Sequence, residues 1–252
     1  MNKKQRKNSR YNPGFYFECS TCGKKYDPEP FRYLCPECSV TNNPQAPPRG
    51  ILKILYDYER LSEKYHQDKL FDKLKEKDFV ELLPIRSERN LSYLKVGKTP
   101  LYRIRTLKTS ETEEIFKFEL YLKDDSQNPT FSFKDRASDL VSAFAKENGI
   151  SKIVTASTGN AGSSLAGICA SQQQQAIIII PAEAPKAKLI QSLMYGARVI
   201  PVIGNYDQAF DLSIAASEKF GWFNRNTAYN PLTIEGKKIV SFEIFQQLRK
   251  TL

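Results

Sequence analysis

The sequence predicts an α/β protein built on a parallel sheet, a three-layer αβα arrangement, and three observations carry that expectation. From residue 153 onward strand and helix patterns alternate: strands over 153–156, 176–181 and 197–202, each followed by a helical stretch, at 161–171, 185–195 and 206–220. The run Ile177, Ile178, Ile179, Ile180 has no polar alternation, the mark of a strand covered on both faces. Each connection is long enough for a right-handed helical crossover.

Composition agrees. The 252 residues are 40% apolar and 26% charged, so the chain can bury a sizeable core and is neither disordered nor fibrous. The longest apolar run, at 176–182, is far short of the ~18 residues of a membrane span. Residues 1–10 are basic but no apolar signal segment follows, which points to the cytoplasm. The net charge is +10, and Lys3, Lys4, Arg6, Lys7 and Arg10 supply half of it. That distribution is a basic flexible tail over 1–14 on a nearly balanced protein, and it argues against a nucleic-acid partner.

The elements follow in order. Cys19 and Cys22, then twelve residues, then Cys35 and Cys38 make two CxxC knuckles. Each knuckle aims two sulfurs at one point, and a facing pair completes a tetrahedral thiolate site for structural zinc, with no open position. This places a zinc ribbon at 15–40. Cys169, alone in an apolar helical stretch, reads as a buried, inert thiol. Three prolines in 39–50 make a linker, and 41–96 continues with a short strand at 51–58 and a charged amphipathic helix at 59–78 carrying Leu61, Tyr65, Leu70 and Leu74 on one side. His66, the only histidine, lies among charged residues of that helix. It reads as a solvated residue, which removes histidine-based hydrolases from consideration.

In 115–123, Phe116, Phe118, Leu120 and Leu122 alternate with polar neighbours and Tyr121, the pattern of a half-buried strand. Helical spacing then takes over at 137–148, with Leu140, Val141, Phe144 and Ala145 on one face and Gly149 as the stop. A short strand near Trp222 and Phe223 and a helix over 236–249 complete the chain.

Two turns carry chemistry. In NPTFSFKDR (128–136), Asn128 and Pro129 break a strand and Ser132 can cap the next helix, so Lys134 falls in its first turn. A cation there opposes the helix dipole by about 0.3–1 kcal/mol. It is tolerated when the lysine is covalently engaged or has a depressed pKa, and the alternative is a surface lysine paired with Asp135 or Asp139. The second turn is Ser157, Thr158, Gly159, Asn160, Ala161, Gly162, directly after a strand. Its main-chain N–H groups and the helix N-terminus suit an anion, although a plain helix cap uses the same residues.

Together, NPTFSFKDR and STGNAG resemble the pyridoxal-phosphate enzymes of the tryptophan synthase β fold type, and among these the threonine synthase family. Further matches are Gly97 to Leu101 (GKTPL), Leu120 to Asp124 (LYLKD), Tyr195 to Val199 (YGARV), and Asn230-Pro231 with Glu235 to Lys238 (EGKK). The cysteine-rich N-terminus is similar to the ribbon on many archaeal-type members. What the resemblance implies is a catalytic region over 97–252 whose Schiff-base lysine is Lys134, acting also as the acid and base for substrate protons. Phe133 would help shape the cofactor pocket. Asn160 would meet the cofactor's ring hydroxyl, and Ser157, Thr158, Gly159 and Asn160 the substrate α-carboxylate. The implied reaction is O-phosphohomoserine plus water to threonine plus phosphate, a carbon–oxygen lyase of amino-acid biosynthesis. Alternatives are a β-replacement enzyme of the cysteate or cysteine synthase kind, a threonine or serine dehydratase, or a non-catalytic zinc-ribbon module.

Three positions depart from the family pattern: Phe131 where a small residue is usual, Ala161 for a threonine, and Thr233 for an arginine that helps bind the substrate phosphate. Family members also continue past this point, with a glycine-rich loop for the cofactor phosphate, so the second domain is expected to be incomplete. A homodimer or a complementing chain would then finish the site, and Val240, Phe242, Ile244 and Phe245 would be left uncovered.

Overall fold

The computed structural model describes residues 14–43, 48–64, 70–76, 79–108, 113–184 and 186–249. It opens with an antiparallel ribbon in which β1 (Phe15–Cys19) lies between β2 (Lys25–Tyr26) and β3 (Leu52–Tyr56). Where one helix was expected over 59–78, α1 (Tyr58–Lys64) and α2 (Leu70–Glu76) are described. Tyr65 and His66 lie outside the described residues.

Next come β4 (Leu101–Lys108) and β5 (Glu113–Lys123), an antiparallel pair that forms a sheet of its own. The expectation of a half-buried strand is corrected here. Phe118 is 63% exposed and Leu122 54%, because this two-stranded ribbon does not join the main sheet. The side chain of Phe116 lies outside the described residues.

Then the alternation begins: α3 (Lys134–Glu147), β6 (Lys152–Ala156), α4 (Asn160–Ser171), β7 (Gln175–Pro181), α5 (Lys186–Met194), β8 (Arg198–Val202), α6 (Tyr206–Phe220), β9 (Phe223–Asn224) and α7 (Leu232–Arg249). The strands form one parallel sheet in the order β8-β7-β6-β9. The period of two divides the isoleucine run between its faces. Ile178 and Ile180 join Val141, Leu165 and Ala166 on the α3/α4 side, whereas Ile177 and Ile179 join Ala209 of α6 on the other. This is the expected three-layer α/β sandwich. Cys169 is fully buried in it, and burial pushes its thiol up, so it is inert as expected.

Several boundaries moved, among them the start of α3, at Lys134 instead of 137. The short strand is Phe223–Asn224 instead of 222–223. Helix α7 starts at Leu232, four residues before the expected 236, because Asn230 accepts the Leu232 N–H through its side chain and the Thr233 N–H through its carbonyl. Gly236 is therefore inside the helix, and packing explains why. A Cβ there would press into the Arg136 carbonyl and lie 2.9 Å from the Ala137 Cα. Gly236→Ala is expected to lose about 1–3 kcal/mol despite alanine's better helix propensity. Urea denaturation checks this, and a stabilised variant would show that α3 and α7 separate easily.

The ribbon shares its core with the α/β layers: Phe17, Leu52 and Ile54 belong to the same apolar cluster as Val141 and Ile153. Phe31 packs on Phe144 and Phe223 at ring distances of 4.9 and 5.2 Å, and Tyr33 stacks on Tyr229 at 4.6 Å. The face of α7 expected to be bare is partly covered: Phe242 meets Phe79 at 5.1 Å and Phe245 meets Phe71 at 4.9 Å. Among the described residues, no helix is long and apolar enough to cross a membrane.

Candidate active site

Strand order locates the site. The chain winds from β6 through β7 to β8, then crosses back to β9 on the far side of β6. In such sheets the crevice opens at the carboxyl ends of the strands where the winding reverses, here between β6 and β9. The two strand exits are tied together. Arg225 N–H donates to the Val154 carbonyl at 2.8 Å, and the Asn226 side-chain oxygen accepts from Ala156 N–H and the Thr155 hydroxyl, both at 2.9 Å.

The turn 157–162 leaves β6 at this crevice. Ser157 is buried, and its hydroxyl accepts the N–H groups of Gly159 at 3.2 Å and Gly162 at 2.9 Å. It holds the turn's shape instead of presenting its oxygen outward. Gly162 is where α4 approaches β7 closely, since a Cβ would lie 3.2 Å from both Ile178 and the Ser157 carbonyl. Among the described residues, the main-chain N–H groups of Thr158, Asn160 and Ala161 have no protein acceptor, and the exposed Asn160 amide has no hydrogen-bond partner. That donor set at a helix N-terminus suits an anion with an adjacent polar group.

Lys134 starts α3, and the preceding segment is built to put it there. Phe131 adopts a left-handed backbone, φ +61°, with its ring 72% exposed. Thr130 donates its N–H at 2.7 Å and its hydroxyl to the buried Asp135. The Ser132 hydroxyl accepts the Lys134 N–H at 3.1 Å, although the residue at the helix N-cap is Phe133 and not the expected Ser132. Asp139 accepts the Ser92 N–H at 2.8 Å. Both acids that could have paired with Lys134 are thus engaged elsewhere, and that alternative falls. Among the described residues, the Lys134 amine has no ion pair or hydrogen bond, and it lies 5.7 Å from the centre of the Phe133 ring. Arg225 links it to the crevice, donating from Nη2 to the Lys134 carbonyl at 3.5 Å.

Residues invisible to sequence reasoning complete the setting. Arg136 is buried between Asp125 and Glu243. No local pattern joins it to Glu243, 107 positions away. Arg225 is 1% exposed and, among the described residues, has only neutral hydrogen-bond partners, adding the Ser138 and Thr227 hydroxyls at 3.3 Å to the Lys134 carbonyl. Burial pulls it down to about 10. Lys237 reaches Thr227 Oγ1 at 3.4 Å, and burial, with the charges of Arg225 and Lys134, pulls it down to about 8. Lys237 stood in the sequence only as part of the EGKK match. Thr233, by contrast, is fully buried with its hydroxyl on the Asn230 carbonyl at 2.8 Å, so it faces no ligand.

The four cysteines come together. The sulfurs of Cys19, Cys22, Cys35 and Cys38 all lie within 4.8 Å of one another, with Cys22 and Cys35 3.9 Å apart. Tetrahedral zinc–thiolate bonds of about 2.3 Å would space sulfurs by about 3.8 Å, so the set fits a closed structural zinc site.

Comparison with known proteins follows the same line. The family model for pyridoxal-phosphate dependent enzymes matches residues 93–252. Threonine synthase of Methanocaldococcus jannaschii is 37% identical over 233 residues, 91% of this chain and 53% of the relative. That of Methanosarcina acetivorans is 32% identical over 238 residues, covering 93% and 54%. The chain thus spans about half the length of the curated relatives it matches. Among solved structures, O-ureido-L-serine synthase superposes with a TM-score of 0.53 at 23% identity, covering 60% of this chain and 48% of that one. Escherichia coli diaminopropionate ammonia lyase, in complex with D-serine, superposes with a TM-score of 0.52 at 17% identity, covering 65% and 47%. These two likenesses show the fold.

Proposed function

Since the chain belongs to the family of pyridoxal-phosphate-dependent enzymes, we propose that its site serves a lyase of the threonine synthase kind, converting O-phosphohomoserine and water to threonine and phosphate. One observation carries the reading: Lys134, whose amine has no ion pair or hydrogen bond among the described residues, has its main-chain carbonyl tied by Arg225 to the crevice where the 157–162 turn offers open N–H groups. The residues fit the cofactor. Lys134 would hold it through Nζ, Phe133 would wall it, and the unpartnered Asn160 amide would meet its ring hydroxyl. When bound, the cofactor's conjugated ring takes up the electron pair released at the substrate's Cα.

The chain's own groups then divide the work. The N–H groups of Thr158, Asn160 and Ala161 bind and orient the substrate carboxylate. Lys134 Nζ, when not holding the cofactor, would move protons to and from the substrate carbons. Ser157 keeps the turn in shape, and Arg136 with its carboxylates holds the start of α3. Zinc in the four-cysteine cluster is structural.

The test is covalent. Pyridoxal phosphate added to the chain and reduced with borohydride is expected to mark Lys134 on peptide mapping. Marking at Lys237 or Lys98 instead, with Lys134 clean, would overturn the assignment. Asn160→Ala should leave the mark on Lys134 but shift the absorption of the bound cofactor, since a hydrogen bond worth about 0.5–1.5 kcal/mol is lost.

A further inference from the structure

Most buried cations of the described residues have a carboxylate. Arg136 sits between Asp125 and Glu243, Lys123 is 2.8 Å from Glu243, and Lys238 is paired with Glu235. One group breaks the pattern. Arg225, Lys237 and Lys134 gather around the exit of β9 without an ion pair between them and any acid. The acid nearest Arg225 in electrostatic effect, Asp135, has both oxygens on Thr130, and the other titratable neighbour is the Tyr206 phenol, whose hydroxyl donates to the Ala156 carbonyl at 3.2 Å.

From this juxtaposition we infer that Lys237, the Thr227 hydroxyl and Arg225 behind them form a binding site for a phosphate-class dianion. The inference rests on the lyase reading above and supplies what Thr233 does not. The geometry is directional. Thr227 Oγ1 lies 3.3 Å from Arg225 Nη1 and 3.4 Å from Lys237 Nζ, so one hydroxyl stands between both cations. Arg225 is fully buried and acts by charge from below, whereas the Lys237 amine lies toward solvent and can close on a ligand. Like charges held together in a partly dry setting are costly alone, and a dianion relieves that cost. Both side chains are pulled below their ordinary values by burial, Arg225 to about 10 and Lys237 to about 8, in keeping with cations that lack a counter-ion.

The same chemistry could be offered by the phosphate ester of the substrate or by the phosphate of the cofactor. Titration calorimetry of the chain with inorganic phosphate is expected to give saturable binding. Lys237→Met should weaken it roughly 10- to 150-fold, the effect of losing one charged hydrogen bond. Thr227→Val should weaken it less, and Lys152→Met, at the other end of the sheet, should leave it unchanged. If Lys237→Met weakens pyridoxal phosphate but not pyridoxal, the site takes the cofactor's phosphate. If it weakens displacement of inorganic phosphate by O-phosphohomoserine while pyridoxal phosphate is unaffected, the site takes the substrate's. Phosphate affinity unmoved by both Lys237→Met and Thr227→Val, or absent from the parent chain, overturns the inference. Borohydride marking of Lys134 in the same samples keeps the two readings apart. A marked Lys134 with unmoved phosphate affinity removes the anion site alone, whereas an unmarked Lys134 with variant-sensitive phosphate binding removes the lyase reading alone.

Discussion

Serine at both Cys22 and Cys35 is expected to abolish zinc binding and to unfold the knuckle end of the ribbon around β2, while β6 to α6 keep their protection. A structural zinc is worth about 10–16 kcal/mol in small zinc-finger peptides. That matches or exceeds the roughly 5–15 kcal/mol of a whole domain. The knuckle end of the ribbon has little else to replace it, since β2 is two residues long, whereas Phe17, Leu52 and Ile54 are anchored in the core shared with the α/β layers. Losing it would bare Phe31 and Tyr33, which cover Phe144, Phe223 and Tyr229. It would also take away the Tyr33 hydroxyl that accepts the Asn224 N–H at 2.8 Å, one residue before Arg225. The damage should therefore reach the β9 exit and weaken phosphate binding there. Elemental analysis for zinc, with hydrogen exchange resolved by peptide, checks both parts. A metal-free variant with the ribbon still protected would show that aromatic packing, and not zinc, holds this segment.

What could be read from sequence, and what could not, divides by range. The isoleucine run, the helices after it and the CxxC pairs are local patterns whose period or spacing has a single cheap structural solution. The sequence pattern puts Gly236 at the first position of the last helix, whereas α7 starts four residues earlier and carries it inside. Only the approach of the Arg136 carbonyl, a hundred positions away, explains a glycine inside that helix. Alternation in β5 was read correctly as a strand but not for its cover, since an apolar face in sequence does not say whether anything packs on it. At the site, the residue types of Lys134 and of the 157–162 turn were legible because a motif surrounds them. Arg225 and Lys237 were not. Their meaning lies in the acids missing around them, which only the assembled β9 exit displays.

The second large effect is expected at Arg136. Its guanidinium, 2% exposed, donates to Asp125 at 2.7 and 2.8 Å and to Glu243 at 2.7 and 2.9 Å, with Lys123 also on Glu243 and the Lys98 N–H on the same carboxylate at 2.9 Å. Two cations and two acids balance, tying the first turn of α3 to α7 and to the end of β5. Gly97 fits the knot: at φ +76° a Cβ would lie 2.9 Å from the guanidinium and press into Glu243. Arg136→Met leaves two buried carboxylates with one lysine, and should cost about 3–5 kcal/mol. The pH dependence gives a second reading of the same event. In the parent, desolvation raises Asp125 and Glu243, but the Arg136 hydrogen bonds and charge outweigh it and hold both below their ordinary values of 3.8 and 4.5. Their contribution to stability is thus full above those values and is lost as pH falls through the depressed ones. Without Arg136, desolvation dominates and the carboxylates should titrate above their ordinary values, so mild acid should relieve the variant's strain while the parent keeps the full contribution of these groups down to their depressed values. Urea denaturation at pH 7 and pH 5 should show the gap between them narrowing at pH 5, and Arg136→Met with Glu243→Gln should recover part of the loss at pH 7. A deficit below about 1 kcal/mol, or one that widens in acid, would mean that Lys123 and solvent already balance these carboxylates and that Arg136 does not hold Lys134's helix in place.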